Sequence, residues 1–143
     1  MSETTSTTTA PPPPTVWPTL RAHDARALIT FLVEAFGFEE TAVFGEGDRV
    51  DHAQLAWPPG GGVMLGSARE PGPGDDFPIR PGTGGFYAVT DDVDGVFARA
   101  RSAGAKAAYG PRDTDYGSRE CAFRDPEGGI WVFGTYRGEP RKA

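Results

Sequence analysis

Cysteine and histidine are nearly missing from this chain. One cysteine, Cys121, and two histidines, His23 and His52, occur in 143 residues. A single thiol cannot close an intrachain disulfide, and a reducing cytoplasmic location follows as the expectation. Basic residues are also in the minority, 14 Lys and Arg against 20 Asp and Glu, for a net charge of −6. That balance argues against a nucleic-acid partner, which needs clustered cations to neutralise phosphates. No apolar run approaches the roughly 20 residues of a spanning helix, so no membrane partner is expected. The first residues also lack the basic-then-apolar order of a signal peptide.

What is present begins with a low-complexity stretch, MSETTSTTTAPPPPT. Threonines and serines followed by four prolines bury too little apolar surface to offset the entropy of ordering. Residues 1–14 are therefore read as a disordered tail, and 138–143 as a frayed C-terminus. The remainder, 15–137, has the length of one domain.

Within it the chain repeats itself. Asp24 stands as a helix N-cap before ARALITFLVEAFGF, where Leu28, Phe31, Leu32, Ala35 and Phe36 recur at helical spacing and Gly37 terminates. Asp92 stands likewise before VDGVFARARSAGA, which Gly104 terminates. Each helix follows a short extended run and precedes an alternating run with a glycine-rich turn: RVDHAQLAW–PPGGG–VMLGS in the first half, SRECAFRD–PEGG–IWVFG in the second. Taking the interval of 67 between the two terminal glycines across the hairpins equates Leu65 with Val132 and His52 with Arg119. The predicted class is α+β, two tandem βαβββ modules (about 15–68 and 85–137) joined by the Pro/Gly-rich linker 69–84. Their sheets are expected to form one curved mixed sheet around a central cavity.

The pattern resembles the vicinal oxygen chelate superfamily, which includes glyoxalase I, extradiol dioxygenases, fosfomycin-resistance transferases and bleomycin-binding resistance proteins. The residues that carry the resemblance are Asp24 with FLVEAFGF, VTDDVDGVFARARSAGA, and DTDYGSRECAFRDPEGGIWVFGTY. Metal-using members hold a cation with four side chains on equivalent strands. By resemblance those positions fall here at Trp17, Leu65 (give or take one residue), Gly85 and Val132. None of these residues supplies imidazole, carboxylate or thiolate, so no metal and no cofactor are expected.

Strand parity carried over from the family sets the ligand-binding candidates. They are Trp17, His52, Gln54, Leu65, Tyr87, Val132 and Arg119, with Thr19, Val89, Ile130 and Cys121 on the same face and Tyr116 over the mouth; Trp131 and Phe133 would lie under the helices. The whole assignment depends on register, because a slip of one residue exchanges the faces. Two functions stay open, with a metal-dependent lyase or dioxygenase whose ligands lie at other positions as a distant third. One is metal-independent sequestration of a small aromatic or hydrophobic molecule by a homodimer, as the bleomycin-resistance branch implies. The other is a metal-free isomerase, cyclase or lyase acting on a small carbonyl compound or secondary metabolite. In that case His52 would be the general acid or base and Arg119 would hold an oxyanion. Ordinary packing explains any single aromatic equally well, and an ion pair with Glu120 or Asp125 would explain Arg119.

Overall fold

The computed structural model describes residues 14–70, 72–74 and 78–140. Most of the Thr/Pro tail, part of the linker and the last three residues lie outside the described set.

Short local signals start each element. Asp24 accepts a hydrogen bond from the Ala27 amide, and Asp92 accepts one from the Gly95 amide. Both caps thereby satisfy a donor that the first helical turn leaves free. The elements run β1 (Thr19–Ala22), α1 (Ala25–Phe31), a π-helical turn (Leu32–Phe36), β2 (Glu39–Glu46), β3 (Arg49–Ala56) and β4 (Gly62–Ser67). The second half repeats them as β5 (Gly85–Val89), α2 (Val93–Ser102), β6 (Lys106–Asp113), β7 (Arg119–Arg124) and β8 (Ile130–Gly134). Two separate four-stranded sheets result, ordered β1-β4-β3-β2 and β5-β8-β7-β6, each with one parallel pair at its inner edge. The α+β class and the two tandem modules are as predicted. Among the described residues, however, their sheets do not join through backbone pairing into one continuous curved sheet.

The interval between the modules is 68, not 67. Ala53 pairs with Leu65 and Cys121 with Phe133, and each residue of the second pair lies 68 beyond its counterpart in the first. The helix caps keep the same interval. Only the terminal glycines differ, because the first helix carries one additional residue in its π-helical turn before Gly37, whose φ is 85°. Such turns insert a single residue without ending the helix.

One core serves both modules. Phe36, from the π-helical turn, lies 4.8 Å from Phe133, 5.5 Å from Trp131 and 5.8 Å from Phe123, ring centre to ring centre, on the second sheet. Phe38 joins Trp57 at 5.0 Å and Trp131 at 5.5 Å. Offset and edge-on ring packing of this kind adds to the area buried. Arg99 of α2 donates to the carbonyls of Glu34 and Val33, placing a cation at the C-terminal end of the first helix.

The Asp-Pro-Glu-Gly turn before β8 turns out to be structural. Buried Asp125 accepts from the amides of Glu127 and Gly129 and from the indole of Trp131, at 2.8, 3.0 and 2.7 Å. Glu127 reaches the other module and accepts from the amides of His23 and Asp24, at 2.6 and 3.0 Å. One carboxylate fixes the hairpin; the next ties it to the start of α1.

Candidate functional site

Each sheet has a face packed on the helices and an open face. In β3, Ala53, Leu55 and the following Trp57 are buried, whereas His52 is exposed and Gln54 half-buried. His52 and Gln54 therefore stand on the open face, as the alternation predicts. Opposite His52 on β2, Phe44 is 60 % exposed and stacks on the imidazole, 6.3 Å between centres and 19° between planes. Gln54 pairs with Met64, and Met64 with Thr19, so these two join the same face. Trp17 lies just before β1; a Cβ on Gly62, two residues before Met64, would sit 3.0 Å from its ring. This close approach puts the Trp17 ring on the open face as well.

Leu65 does not. It pairs with buried Ala53, is 2 % exposed and belongs to the core. The expectation that Leu65 lines the cavity is corrected to Met64, the residue 68 before Val132. The cause is the interval of 67, which moved the assignment by one residue and so to the wrong face.

On the second sheet, Tyr87 pairs with Val132 and Ala122 with Val132 from the other side, while Phe123 and Trp131 are buried between helices and sheet with half-buried Phe86 beside them. Tyr87 and Val132 thus share the open face, and Trp131 and Phe133 lie in the core as expected. Arg119 and Cys121 have the opposite parity. Arg119 donates through Nε and Nη2 to Asp94 at the start of α2, both at 2.9 Å, and through Nη1 to Asp113 at 3.1 Å. These two carboxylates hold its pKa above the ordinary arginine value, and its guanidinium lowers that of Asp94. Arg119 is a clamp between a helix and β6, on the face away from His52's counterpart position. Cys121 is wholly buried, and desolvation pushes its thiol up to about 11.

The residue at the position equivalent to His52 is Glu120, which sequence reasoning missed. It pairs with Gly134 on the open face, is 6 % exposed, and accepts a 2.6 Å hydrogen bond from the Tyr116 hydroxyl. That bond, with some desolvation, raises Tyr116 to about 12. The Tyr116 ring meets Tyr136 edge-on at 6.0 Å, and the Tyr87 hydroxyl donates to the Tyr136 carbonyl at 2.9 Å. A Thr114–Ser118 pair of hydrogen bonds closes the loop that carries Tyr116. The correct interval would have found Glu120 from sequence.

Among the cavities found in the described residues, one of about 400 Å³ lies in the cleft between the inner edges of the two sheets. Pro18, Trp57, Gly62, Tyr87, Val89 and Trp131 are among the residues lining it. A second, of about 300 Å³, continues along the same cleft toward Arg21 and Glu127. Neither brings His52 or Gln54 together with Tyr87 and Val132. His52 and Arg119 lie on different sheets, and Arg119 is already engaged, so the suggested catalytic pair is not assembled within one chain.

With the interval of 68, the four positions that the family resemblance assigns to cation ligands fall at Trp17, Met64, Gly85 and Val132. An indole, a thioether, a hydrogen and an isopropyl group do not make a donor set for a divalent ion. Among the described residues no group of three or more His, Cys, Asp or Glu could hold a metal. No helix is long and apolar enough to cross a membrane.

A family model described as the Glyoxalase/Bleomycin resistance protein/Dioxygenase superfamily matches residues 15–133. Among solved structures, TioX from Micromonospora sp. ML1 is similar, with 27 % identity over 90 % of this chain and 98 % of that one, at a TM-score of 0.69. TnmS3, an antibiotic binding protein from Streptomyces sp. CB03234, shares 29 % identity over 80 % of this chain and 88 % of its own, at 0.62. A glyoxalase/bleomycin resistance protein from the same Streptomyces strain shares 28 % over 80 % and 94 %, at 0.61. No curated protein matches the chain.

Proposed function

The chain belongs to the Glyoxalase/Bleomycin resistance protein/Dioxygenase superfamily, and from that premise we propose that it binds and sequesters a small, flat aromatic or hydrophobic molecule without a metal ion. The observation that carries this reading is the chemistry of the open sheet faces. Where relatives of this fold would place cation ligands, this chain has an indole, a thioether, a bare glycine and an aliphatic group. Around them stand Phe44, Tyr87 and Tyr116, each at least 44 % exposed. Rings of this kind offer stacking area to a planar ligand at small cost in side-chain entropy. TnmS3, similar in fold and sequence, is an antibiotic binding protein, and an antibiotic-like polycyclic compound is the ligand class we assign.

The binding unit in this proposal is a homodimer. Each open face is one wall of a pocket, and the opposing wall is the other module's open face in a second copy. A two-fold axis would produce two such pockets, each pairing the Trp17–His52–Gln54–Met64 wall with the Tyr87–Tyr116–Val132 wall.

Equilibrium dialysis against a panel of polycyclic probes, including acridine and anthraquinone, tests the reading. The expected result is a dissociation constant of about 1 μM or tighter for at least one probe, about −8 kcal/mol, unaffected by chelators and with the probe recovered unchanged after hours. Conversion of a bound probe, lost in His52→Ala, would replace sequestration with catalysis. Failure of all probes would refute the aromatic-ligand assignment.

A further inference from the structure

We propose that the ligand carries a positive charge, an aliphatic or aryl ammonium or an amidine-like group, and that Glu120 with Tyr87, Tyr116 and Tyr136 is the site that receives it. This rests on the binding reading above and names the chemical class of what is bound.

Glu120 is the starting point because its placement is costly. It is 6 % exposed, and a buried carboxylate needs partners for its lone pairs. Oε2 accepts the Tyr116 hydroxyl. Oε1 accepts nothing from any described residue, and none of the salt bridges among them reaches it. The one arginine beside it in sequence, Arg119, points to the other face and is held by Asp94 and Asp113. A carboxylate with one oxygen anchored and the other unanswered is a ready acceptor for a charged donor.

Its orientation toward the open face follows from Gly134. A Cβ at Gly134 would collide with the Tyr87 hydroxyl and would sit 2.9 Å from both Glu120 Cγ and Tyr87 Cζ. Only a residue without a side chain lets the Tyr87 ring and the Glu120 stem meet over the same spot of the sheet. Three tyrosine rings are then grouped with the carboxylate: Tyr87 at 44 %, Tyr116 at 59 % and Tyr136 at 39 % exposure. Tyr116 and Tyr136 stand at 82° to one another, two walls of a corner. Tyr136 is held there from three sides, by Ser118 Oγ on its amide, Tyr87 on its carbonyl and Glu139 on its hydroxyl. Ring faces attract cations, and several rings around an anion form the arrangement that recognises organic ammonium groups. Arg137, the cation next in sequence to Tyr136, is turned to Asp91 at 2.6 Å.

Three acridine probes of the same ring size but different charge distinguish the alternatives: cationic 9-aminoacridine, neutral acridine and anionic acridine-9-carboxylate at pH 7.5. The full chain is expected to bind the cation about tenfold more tightly than the neutral ring, with the anion weakest. Glu120→Gln, which keeps the shape and the Tyr116 contact, should bring cation and neutral ring to equal affinity. Tyr116→Phe should preserve the preference for the cation, since it frees the second oxygen of Glu120. An anion bound as well as the cation, or a preference that survives Glu120→Gln, overturns the cation site and leaves aromatic binding standing. Failure of all three probes to bind overturns both.

Discussion

Met64 and Leu65 are neighbours on one strand, yet their side chains answer to different demands. Leu65 is enclosed by the core at 2 % exposure, and Met64 stands half-buried on the open face beside Gln54. Leu65→Ala should lower unfolding free energy by about 2–5 kcal/mol through lost burial and a residual cavity. Met64→Ala should alter stability by well under that and weaken the binding of polycyclic probes instead. Urea denaturation and dialysis on the two variants give the pattern, and the reverse pattern would refute the register. Asp125 supplies a different test at the same scale. Its carboxylate accepts three N–H groups, one from a buried indole; Asp125→Ala strands them and should cost about 3 kcal/mol. Cys121, with no exposed surface and a thiol raised to about 11 by burial, should resist Ellman's reagent at pH 8 in the native protein and react fully in denaturant.

At the scale of the elements, what could be read from sequence was whatever a local signal dictates. Asp24 and Asp92 were legible as caps because a carboxylate before an apolar helical stripe has one common use, and Gly37 and Gly104 because few other residues terminate a helix so cheaply. His52 and Gln54 were legible because alternation in β3 survives up to the bulge near Gly45. The π-helical turn at Leu32–Phe36 was not legible: it leaves the apolar stripe intact and declares itself only as one additional residue between cap and terminator. That residue, carried into the hairpin, exchanged Met64 for Leu65 and Glu120 for Arg119. The role of Arg119 depended on Asp94 and Asp113, from α2 and the end of β6, and no local pattern announces such a contact. Arg119→Ala should therefore loosen the attachment of α2 to the second sheet and leave probe affinity unchanged. The pH dependence has a definite sign: Asp94 is lowered by Arg119, so the clamp's contribution is complete above the ordinary carboxylate range and is lost as acid is added through the depressed value. Arg119→Ala should thus matter less in acid than at neutral pH, checked by thermal melts across that range.

For the whole molecule, the unanswered question is why a domain with one well-filled core leaves so much ring surface outside it. Phe44 at 60 % exposure faces away from the helices on one sheet, and Tyr87, Tyr116 and Tyr136 do so on the other. A water-exposed aromatic on a sheet face gains nothing for a monomer, and apolar patches of this sort mark interaction surfaces. Among the described residues, the cleft between the two sheets reaches both open faces only at Gly62, Gly85, Tyr87 and Val89, and leaves Phe44, His52, Gln54 and Tyr116 outside it. In the proposed homodimer a second copy related by a two-fold axis would cover both at once, with sheet one of each copy meeting sheet two of the other. The expected mass in light scattering is therefore twice 15.2 kDa, with an interface above about 1,200 Å². Phe44→Asp places a charge on that interface without touching the core. It should shift the protein to monomer, keep the cooperative unfolding of the fold and abolish probe binding, because each pocket loses a wall. A wild-type monomer that binds probe at full strength would show that one chain builds the site alone, and the dimer would have to be abandoned.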